Sequence, residues 1–171
     1  MAGVALRGWA EEDLWLLERL LGDPEMMRHL GGPESPEALH ARHVRYLESD
    51  PVTNGLFAIT IGTDASPVGW IGYWESEWSG ETAWECGWHV LPEEQGHGVA
   101  TGAAGLMLDR ARRHGRHRFV HAFPSASNAA SNALCRSVGF ELLGEAEVEY
   151  PRGSMMHSND WRFDLGDDLP G

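Results

Sequence analysis

The sequence predicts an α+β fold in which helices pack on both faces of a mixed, mostly antiparallel β-sheet. Apolar runs separated by short polar turns occur in adjacent pairs, which is typical of antiparallel strands. Other segments repeat apolar residues at helical spacing. One long helix joins two strands, which must then run parallel. The chain has 171 residues, enough for one domain with its own core. We expect this domain to cover residues 1–165 and to be followed by a short acidic tail over 166–171.

Local sequence features predict each helix and strand. The first helix is predicted because Leu14, Leu17 and Leu21 share one helical face. The second begins at Ser35, a good N-cap that is followed by Pro36. The predicted helices cover residues 11–21, 35–49 and 98–113. The predicted strands cover residues 4–6, 56–61, 68–74, 84–90, 119–123, 140–150 and 155–165.

Composition limits the classes of partner. The formal net charge is −13, and all 13 basic residues are arginine. Such a field repels nucleic acid and could gather cationic substrates, but an acidic surface also simply aids solubility. No apolar run is long enough to cross a bilayer. Two cysteines are too few for a disulfide framework and are spaced unlike a metal site, so we expect a cytoplasmic protein with no metal and no membrane or nucleic-acid partner.

The most informative stretch is residues 86–101, which read Cys-Gly-Trp-His-Val-Leu-Pro-Glu-Glu-Gln-Gly-His-Gly-Val-Ala-Thr. A predicted strand stops at Pro92, and a predicted helix starts near Gly98. Glycines in such a turn let backbone N–H groups approach a bulky anion, and the helix N-terminus adds about half a positive charge. The spacing Gln95-x-x-Gly98-x-Ala100 differs from both the Walker loop and the dinucleotide fingerprint.

A second motif follows. Residues 127–140 read Ser-Asn-Ala-Ala-Ser-Asn-Ala-Leu-Cys-Arg-Ser-Val-Gly-Phe. Together the two motifs resemble the coenzyme A loop and the later Asn-x-x-Ala/Ser-x-x-Leu-x-x-x-x-Gly-Phe motif of the GNAT acetyltransferase superfamily. The layout is similar to the branch that contains ribosomal-protein N-terminal acetyltransferases, spermidine acetyltransferases and several antibiotic-modifying enzymes. The resemblance covers nearly the whole chain.

The resemblance implies a splayed central sheet and an N-acetyltransferase that uses acetyl-CoA as co-substrate. Direct transfer in a ternary complex would deliver the acetyl group to a primary amine on a small cationic metabolite, an antibiotic or a protein N-terminus. A homodimer is a further expectation from the resemblance. Asn128 would open a helix beside the coenzyme. The residues that the resemblance assigns to coenzyme binding are Val90, Gln95, Gly96, His97, Gly98, Val99, Ala100, Thr101, Asn128 and Ser131.

Three side chains are candidates for the chemistry. Glu85 is the first choice for the base or the substrate anchor, because members of this branch often carry Glu there and burial among tryptophans would raise its pKa. Strand alternation places His89 on the same face, and an imidazole titrates near neutrality, so His89 is a second candidate base. Cys135 stands where many relatives have the tyrosine that protonates the leaving thiolate. It could donate that proton, or it could be an apolar filler, with water or Ser131 as donor.

The sequence leaves several alternatives open. The donor could be another acyl-CoA or a carrier-protein thioester, and the chain could be a degenerate module that only binds acyl-CoA. Five tryptophans in the middle of the chain could form a substrate pocket or a core. Acidic residues that alternate along one late strand could recruit an amine or face solvent. Arginines between residues 110 and 118 could reach a coenzyme phosphate or could simply favour the end of a helix.

Overall fold

The computed structural model describes residues 3–49 and 54–166 of the chain. The predicted tail over 166–171 lies outside the described residues, except for Gly166. The helices are α1 (Leu14–Leu21), α2 (Pro36–Leu47), α3 (Val99–His114) and α4 (Ala129–Val138). The strands are β1 (Val4–Gly8), β2 (Asn54–Ile61), β3 (Gly69–Trp78), β4 (Glu81–Val90), β5 (Phe119–Ala122), β6 (Glu141–Glu149) and β7 (Met155–Asp164).

The seven strands form one sheet in the order β1-β2-β3-β4-β5-β7-β6. Every neighbouring pair is antiparallel except β4 and β5, which run parallel because α3 connects them. The predicted α+β class with a mixed, mostly antiparallel sheet is therefore confirmed.

Helices cover both faces of the sheet. The face that carries α3 is packed around Trp84, Met107 and Val120, all fully buried. On the opposite face, the leucines of α1 pack with Leu39 of α2 against Trp70 of β3. Local caps fix these helices as the sequence predicts. The Ser35 hydroxyl accepts a hydrogen bond from the N–H of Ala38, which supports the start of α2.

The hairpin between β3 and β4 is longer than predicted. β3 continues to Trp78 and β4 starts at Glu81, so only Ser79 and Gly80 remain in the turn. Both have positive φ angles, 52° and 81°, which is the backbone that twisted two-residue hairpins require. The register of this pair runs without a break from Gly69 to Trp78. The alternation of side chains along β4 is therefore preserved.

The sheet splays after Glu85. β4 and β5 pair only at Trp84 with Val120 and at Glu85 with His121. The rest of β4, up to Val90, has no strand on its β5 side within the described residues. A wedge opens between the two strands, and it is this wedge that positions the site.

Residues 3–49 and 54–166 contain no group of three or more His, Cys, Asp or Glu side chains suited to bind a metal ion. None of the helices within these ranges is both long and apolar enough to cross a membrane.

Candidate functional site

A cavity of about 1240 Å³ occupies the wedge between β4 and β5. It is larger than a typical pocket for a single small ligand, so it has room for two substrates side by side. One half lies against the start of α3 and against α4. The other half lies over the sheet face that α1 and α2 partly cover. We call these the helix half and the sheet half.

The helix half begins at the turn before α3. Gly96 and Gly98 have φ angles of 76° and 79°, a conformation that side-chain-bearing residues rarely adopt. A Cβ at either glycine would meet nothing within 4 Å, so space lies beside the backbone there. Gly98 is the N-cap of α3 and supplies no side-chain hydrogen bond to it. The first N–H groups of α3 are therefore available to an anion.

The end of β4 is held against this turn. The side chain of Gln95 donates a hydrogen bond of 2.9 Å to the carbonyl oxygen of Val90. A second tie is an ion pair of 2.7 Å between Arg19 of α1 and Glu93, in the short 3₁₀ turn Pro92–Glu94. These contacts fix the path by which the chain enters α3. Gln95 thus acts on the backbone as well as lining the cavity.

α4 forms the other wall of the helix half. The Asn128 side chain caps this helix by accepting a hydrogen bond of 3.1 Å from the N–H of Ser131. Both residues line the cavity, as does Leu134 one turn further on. The structure therefore brings nearly all predicted coenzyme-binding residues to one half of one cavity. His97 is the exception, because its exposed side chain lies outside the cavity wall.

Glu85 lies at the point where the strands part. Burial raises the pKa of its carboxyl, while Ser76 and Trp74 of β3 and the charge of His121 lower it in part. The residue pairs with Trp74 across β3 and lines the sheet half of the cavity. A half-buried carboxylate with a raised pKa is a better proton acceptor than an ordinary surface carboxylate.

His89 shares this face but differs from its predicted chemistry. Its ring stacks on Trp70 at a centroid distance of 5.4 Å, and its Nδ1 is enclosed without a hydrogen-bond partner in the described structure. Burial, and secondarily the positive charge of Arg42, lowers the pKa of His89 to about 4. The expectation that His89 titrates near neutrality is therefore wrong. It lines the cavity as a neutral ring.

Cys135 does not reach the cavity. Its side chain is fully buried in the core with Cys86 and Phe140, and burial raises the pKa of its thiol to about 12. The side chain packs into the core from α4, whereas Leu134 and Ser131 of the same helix line the cavity. The geometry thus favours the apolar filler over the proton donor.

The arginines that follow Arg110 lie away from the cavity. α3 is about 24 Å long at 1.5 Å per residue, and these arginines cluster at the end opposite Gly98. Arg116 pairs with Glu75, and Arg118 pairs with Asp164. The geometry thus favours the alternative in which this cluster supports the end of the helix.

The sheet half contains a group of residues that the sequence did not reveal. Arg42 of α2 lines the cavity and donates through Nε to Glu34 at 3.0 Å and through Nη1 to the hydroxyl of Tyr46 at 3.2 Å. Tyr150 lines the same wall, and burial raises the pKa of both tyrosines. These residues come from distant segments, so no local motif could identify them.

The tryptophans divide between pocket and core. Of the five tryptophans in the middle of the chain, Trp84 is fully buried in the core, whereas the other four, Trp70, Trp74, Trp78 and Trp88, line the cavity. The alternating acidic residues lie on β6, an edge strand, and Glu147 and Glu149 reach the cavity rim. Five carboxylates other than Glu85 line the cavity together with several aromatic rings. We call them the rim carboxylates: Glu25, Glu77, Glu94, Glu147 and Glu149.

Comparison with known proteins places this cavity in context. The profile of a family described as the acetyltransferase (GNAT) domain matches residues 4–141. No curated protein matches the chain in sequence.

Solved structures share the fold at low sequence identity. A spermidine N-acetyltransferase from Vibrio cholerae, solved with CoA and spermine, is 16% identical with a TM-score of 0.75, and the match covers 95% of each chain. A ribosomal-protein-S5-alanine acetyltransferase from Vibrio fischeri is 17% identical with a TM-score of 0.75, over 98% of this chain and 94% of that one. A ribosomal L7/L12 α-N-protein acetyltransferase in complex with coenzyme A is 19% identical with a TM-score of 0.76, over 96% of this chain and 95% of that one.

Proposed function

Because the chain belongs to the GNAT family of acetyltransferases, we propose that it moves an acetyl group from acetyl-CoA directly to a primary amine. One observation carries the proposal. A single cavity runs from the open N-terminus of α3 to the carboxylate of Glu85. The cavity therefore joins a site for a phosphorylated donor to a group that can accept the proton of an amine.

The helix half fits the donor. The backbone N–H groups of residues 96–101 would hold the diphosphate, and the positive φ of Gly96 and Gly98 brings the backbone close to it. The unpaired side of β4 leaves backbone groups for the pantetheine arm, and Asn128 and Ser131 border it from α4. When bound, acetyl-CoA supplies an activated acetyl group as a thioester.

The sheet half supplies the chemistry of the acceptor. An amine attacks only when it is neutral, so the ammonium form must first lose a proton. Glu85 is placed to accept that proton, and its raised pKa makes it a stronger base. The neutral ring of His89 and the cluster around Arg42 shape the wall beside it.

Direct transfer is favoured over a covalent intermediate. Cys86 is the cysteine that borders the cavity, and burial raises the pKa of its thiol well above the ordinary value. Cys135 is enclosed in the core. Neither thiol is activated as a nucleophile, because the thiolate is the reactive form. The ternary complex is therefore the simpler route.

The acceptor is proposed as a primary amine of a small cationic metabolite, an antibiotic or a protein N-terminus. The rim carboxylates support a positively charged acceptor, and the aromatic wall supports one with an apolar or flat body. We also propose a cytoplasmic location, which suits two unpaired thiols. A homodimer stays a prediction that sedimentation would test.

An assay of turnover tests the proposal. The protein is mixed with acetyl-CoA and a panel of polyamines, aminoglycosides and peptides with free N-termini, and free thiol is followed over time. We expect thiol release that depends on at least one amine, with a matching acetylated product by mass spectrometry. Tight coenzyme binding without release for any amine would contradict acetyl transfer and favour a binding module. Thiol release with a longer acyl-CoA but not with acetyl-CoA would show that the protein transfers another acyl group.

A further inference from the structure

A second, smaller cavity of about 320 Å³ lies beside the first. Trp78 lines both cavities, so its indole forms part of the wall between them. Strand pairing places Trp78 and Glu85 on the same face of the sheet. His121 and Asp160, two buried polar residues, line the smaller cavity but not the larger one.

His121 and Asp160 form a fixed pair. The Nδ1 atom of His121 lies 2.6 Å from one carboxylate oxygen of Asp160, and the Nε1–H of Trp78 donates to the other oxygen at 2.8 Å. Both side chains of the pair are 11% exposed. Nε2 of His121 has no hydrogen-bond partner in the described part of the chain and is not an enclosed atom. It is therefore the ring nitrogen that is left for a further hydrogen bond.

The pair lies next to Glu85 in the sheet. His121 is the strand partner of Glu85 at the last position before β4 and β5 separate, and their side chains lie on the same face. The charge of His121 acts on the Glu85 carboxyl, lowering its pKa. Phe123 stacks on His121 at 5.8 Å and packs edge-on against Trp78 at 4.7 Å. Phe123 lines the larger cavity and His121 the smaller one, so this stacked pair lies where the two cavities adjoin.

We propose that His121 is a proton-relay residue that acts through Glu85 and delivers the proton of the acceptor amine to the smaller cavity. This inference rests on the proposed acetyl transfer. Conversion of an ammonium and a thioester to an amide and a thiol releases one proton. With both substrates in the larger cavity, water reaches Glu85 less easily from that side. The smaller cavity offers a separate exit.

The proton balance is simple. Glu85 takes the proton from the ammonium, and the neutral amine attacks the thioester carbonyl. The C–S bond then breaks, and the thiolate takes a second proton from the attacking nitrogen and leaves as a thiol. The Glu85 carboxylic acid then passes its proton through a bridging water to Nε2 of His121, its strand neighbour, and Asp160 stabilises the resulting imidazolium, as a carboxylate does in other carboxylate–histidine pairs. Nε2 releases the proton to water, and Glu85 is again a carboxylate.

Other charged groups also face His121. From β7 and β4 the neighbours are Asp160, Arg162 and Glu85. Across the smaller cavity the titratable and charged residues are Glu81, Arg116, His117 and Arg118. Any pH profile reports this whole group, so the test compares matched variants rather than absolute values.

The first test measures the coupling without turnover. The carboxyl carbon of Glu85 is titrated by ¹³C NMR in the wild-type protein, in His121→Gln and in His117→Gln. His117 lines the same small cavity, but its Nε2 binds Glu75 at 2.6 Å, so it is the matched control. We expect the pKa of Glu85 to rise in His121→Gln and to stay unchanged in His117→Gln. An unchanged pKa in His121→Gln would overturn the relay.

The second test measures kcat and KM with acetyl-CoA and the fastest amine of the panel. We expect kcat to fall about tenfold in His121→Gln and in Asp160→Asn, with both KM values within about twofold, because a relay acts on proton transfer and not on binding. Added imidazole should restore part of the kcat of His121→Ala, which a purely structural role would not allow. Thermal unfolding verifies that each variant is folded.

The two proposals fail in different ways. Wild-type turnover with an unaffected kcat in both folded variants would overturn the relay alone. Absence of wild-type turnover with every amine would overturn acetyl transfer, and the relay with it.

Discussion

The two halves of the large cavity are built by different means. The helix half is made of backbone: glycines with positive φ, an open helix end, and a second helix capped by Asn128. The sheet half is made of side chains from distant segments, such as Glu85, His89 and Arg42. Backbone amides bind a phosphate with little dependence on side-chain identity. Buried side chains select their partner through charge, shape and protonation.

This difference explains how one donor can serve many acceptors in a fold. The helix half needs only a few residues at fixed spacing, so a short motif encodes it. The sheet half can change whenever a residue of α2, β4 or β6 changes, without disturbing the donor site. Variants in each half should therefore have separable effects, on donor binding in one case and on acceptor chemistry or ionisation in the other.

The largest effect is expected in the helix half. Gly98→Val forces a β-branched residue into a positive φ and turns the N–H groups away from the diphosphate. We expect affinity for coenzyme A to fall about 1000-fold, since two or more charge-assisted hydrogen bonds are lost at about 1.5–3 kcal/mol each. Calorimetric titration measures the affinity. Gly105→Val, in the exposed middle of α3 with open space beside it, is the control and should bind normally. Equal affinity of the two variants would contradict the loop assignment.

The next effect concerns stability in the sheet half. The pKa of His89 is about 4 in the folded state and about 6.5 when unfolded, so only the unfolded chain binds a proton between these values. The neutral ring's contribution is complete above pH 6.5 and is lost as the pH falls towards 4. We expect wild type to lose up to about 3 kcal/mol of unfolding free energy relative to His89→Phe over this range.

Urea denaturation at several pH values gives this difference. His89→Phe keeps a flat ring against Trp70 and removes an enclosed nitrogen that has no partner in the described structure. His40→Phe, at an exposed position of α2, is the control and should keep the wild-type slope. If the unfolding free energies of wild type and His89→Phe changed equally with pH, His89 would be shown to protonate as easily in the folded as in the unfolded chain.

The same contrast explains what the sequence could predict. The helix half follows from local rules, since glycine spacing and an Asn N-cap are visible in consecutive residues. The alternation along β4 also followed, because a regular strand places Glu85 and His89 on one face. The depressed pKa of His89 could not be predicted, because it depends on burial of the ring against Trp70 and on the charge of Arg42 from α2. The cluster of Arg42, Tyr46 and Tyr150 could not be predicted either, because it also depends on contacts between distant segments.

A smaller effect is expected at the junction of the two halves. Glu85→Gln removes the proposed base but keeps the size of the side chain. We expect kcat to fall about 100-fold with unchanged affinity for coenzyme A, the usual size of a lost general base. In wild type, activity should rise with pH through the Glu85 pKa, because the carboxylate is the active form, and burial moves this rise above the ordinary range. The Glu85→Gln variant should lack this rise of activity with pH. Steady-state kinetics between pH 4 and 9 measures both effects, with Glu37→Gln, at an exposed position of α2 outside the cavity, as the control. Full activity of Glu85→Gln would remove Glu85 from catalysis.

The smallest effect on activity is expected within the helix half itself, at two neighbouring residues of α4. Cys135 is enclosed in the core, whereas Leu134 lines the cavity. Cys135→Ala should leave kcat within about twofold and cost about 1 kcal/mol of stability through the small void it creates. Leu134→Ala should instead raise the KM for acetyl-CoA, because it removes an apolar contact from the donor wall. If Cys135→Ala lost most of its kcat while coenzyme affinity and folding stayed normal, the thiol would be a proton donor. In that case α4 would have to shift during the reaction to bring it into the cavity.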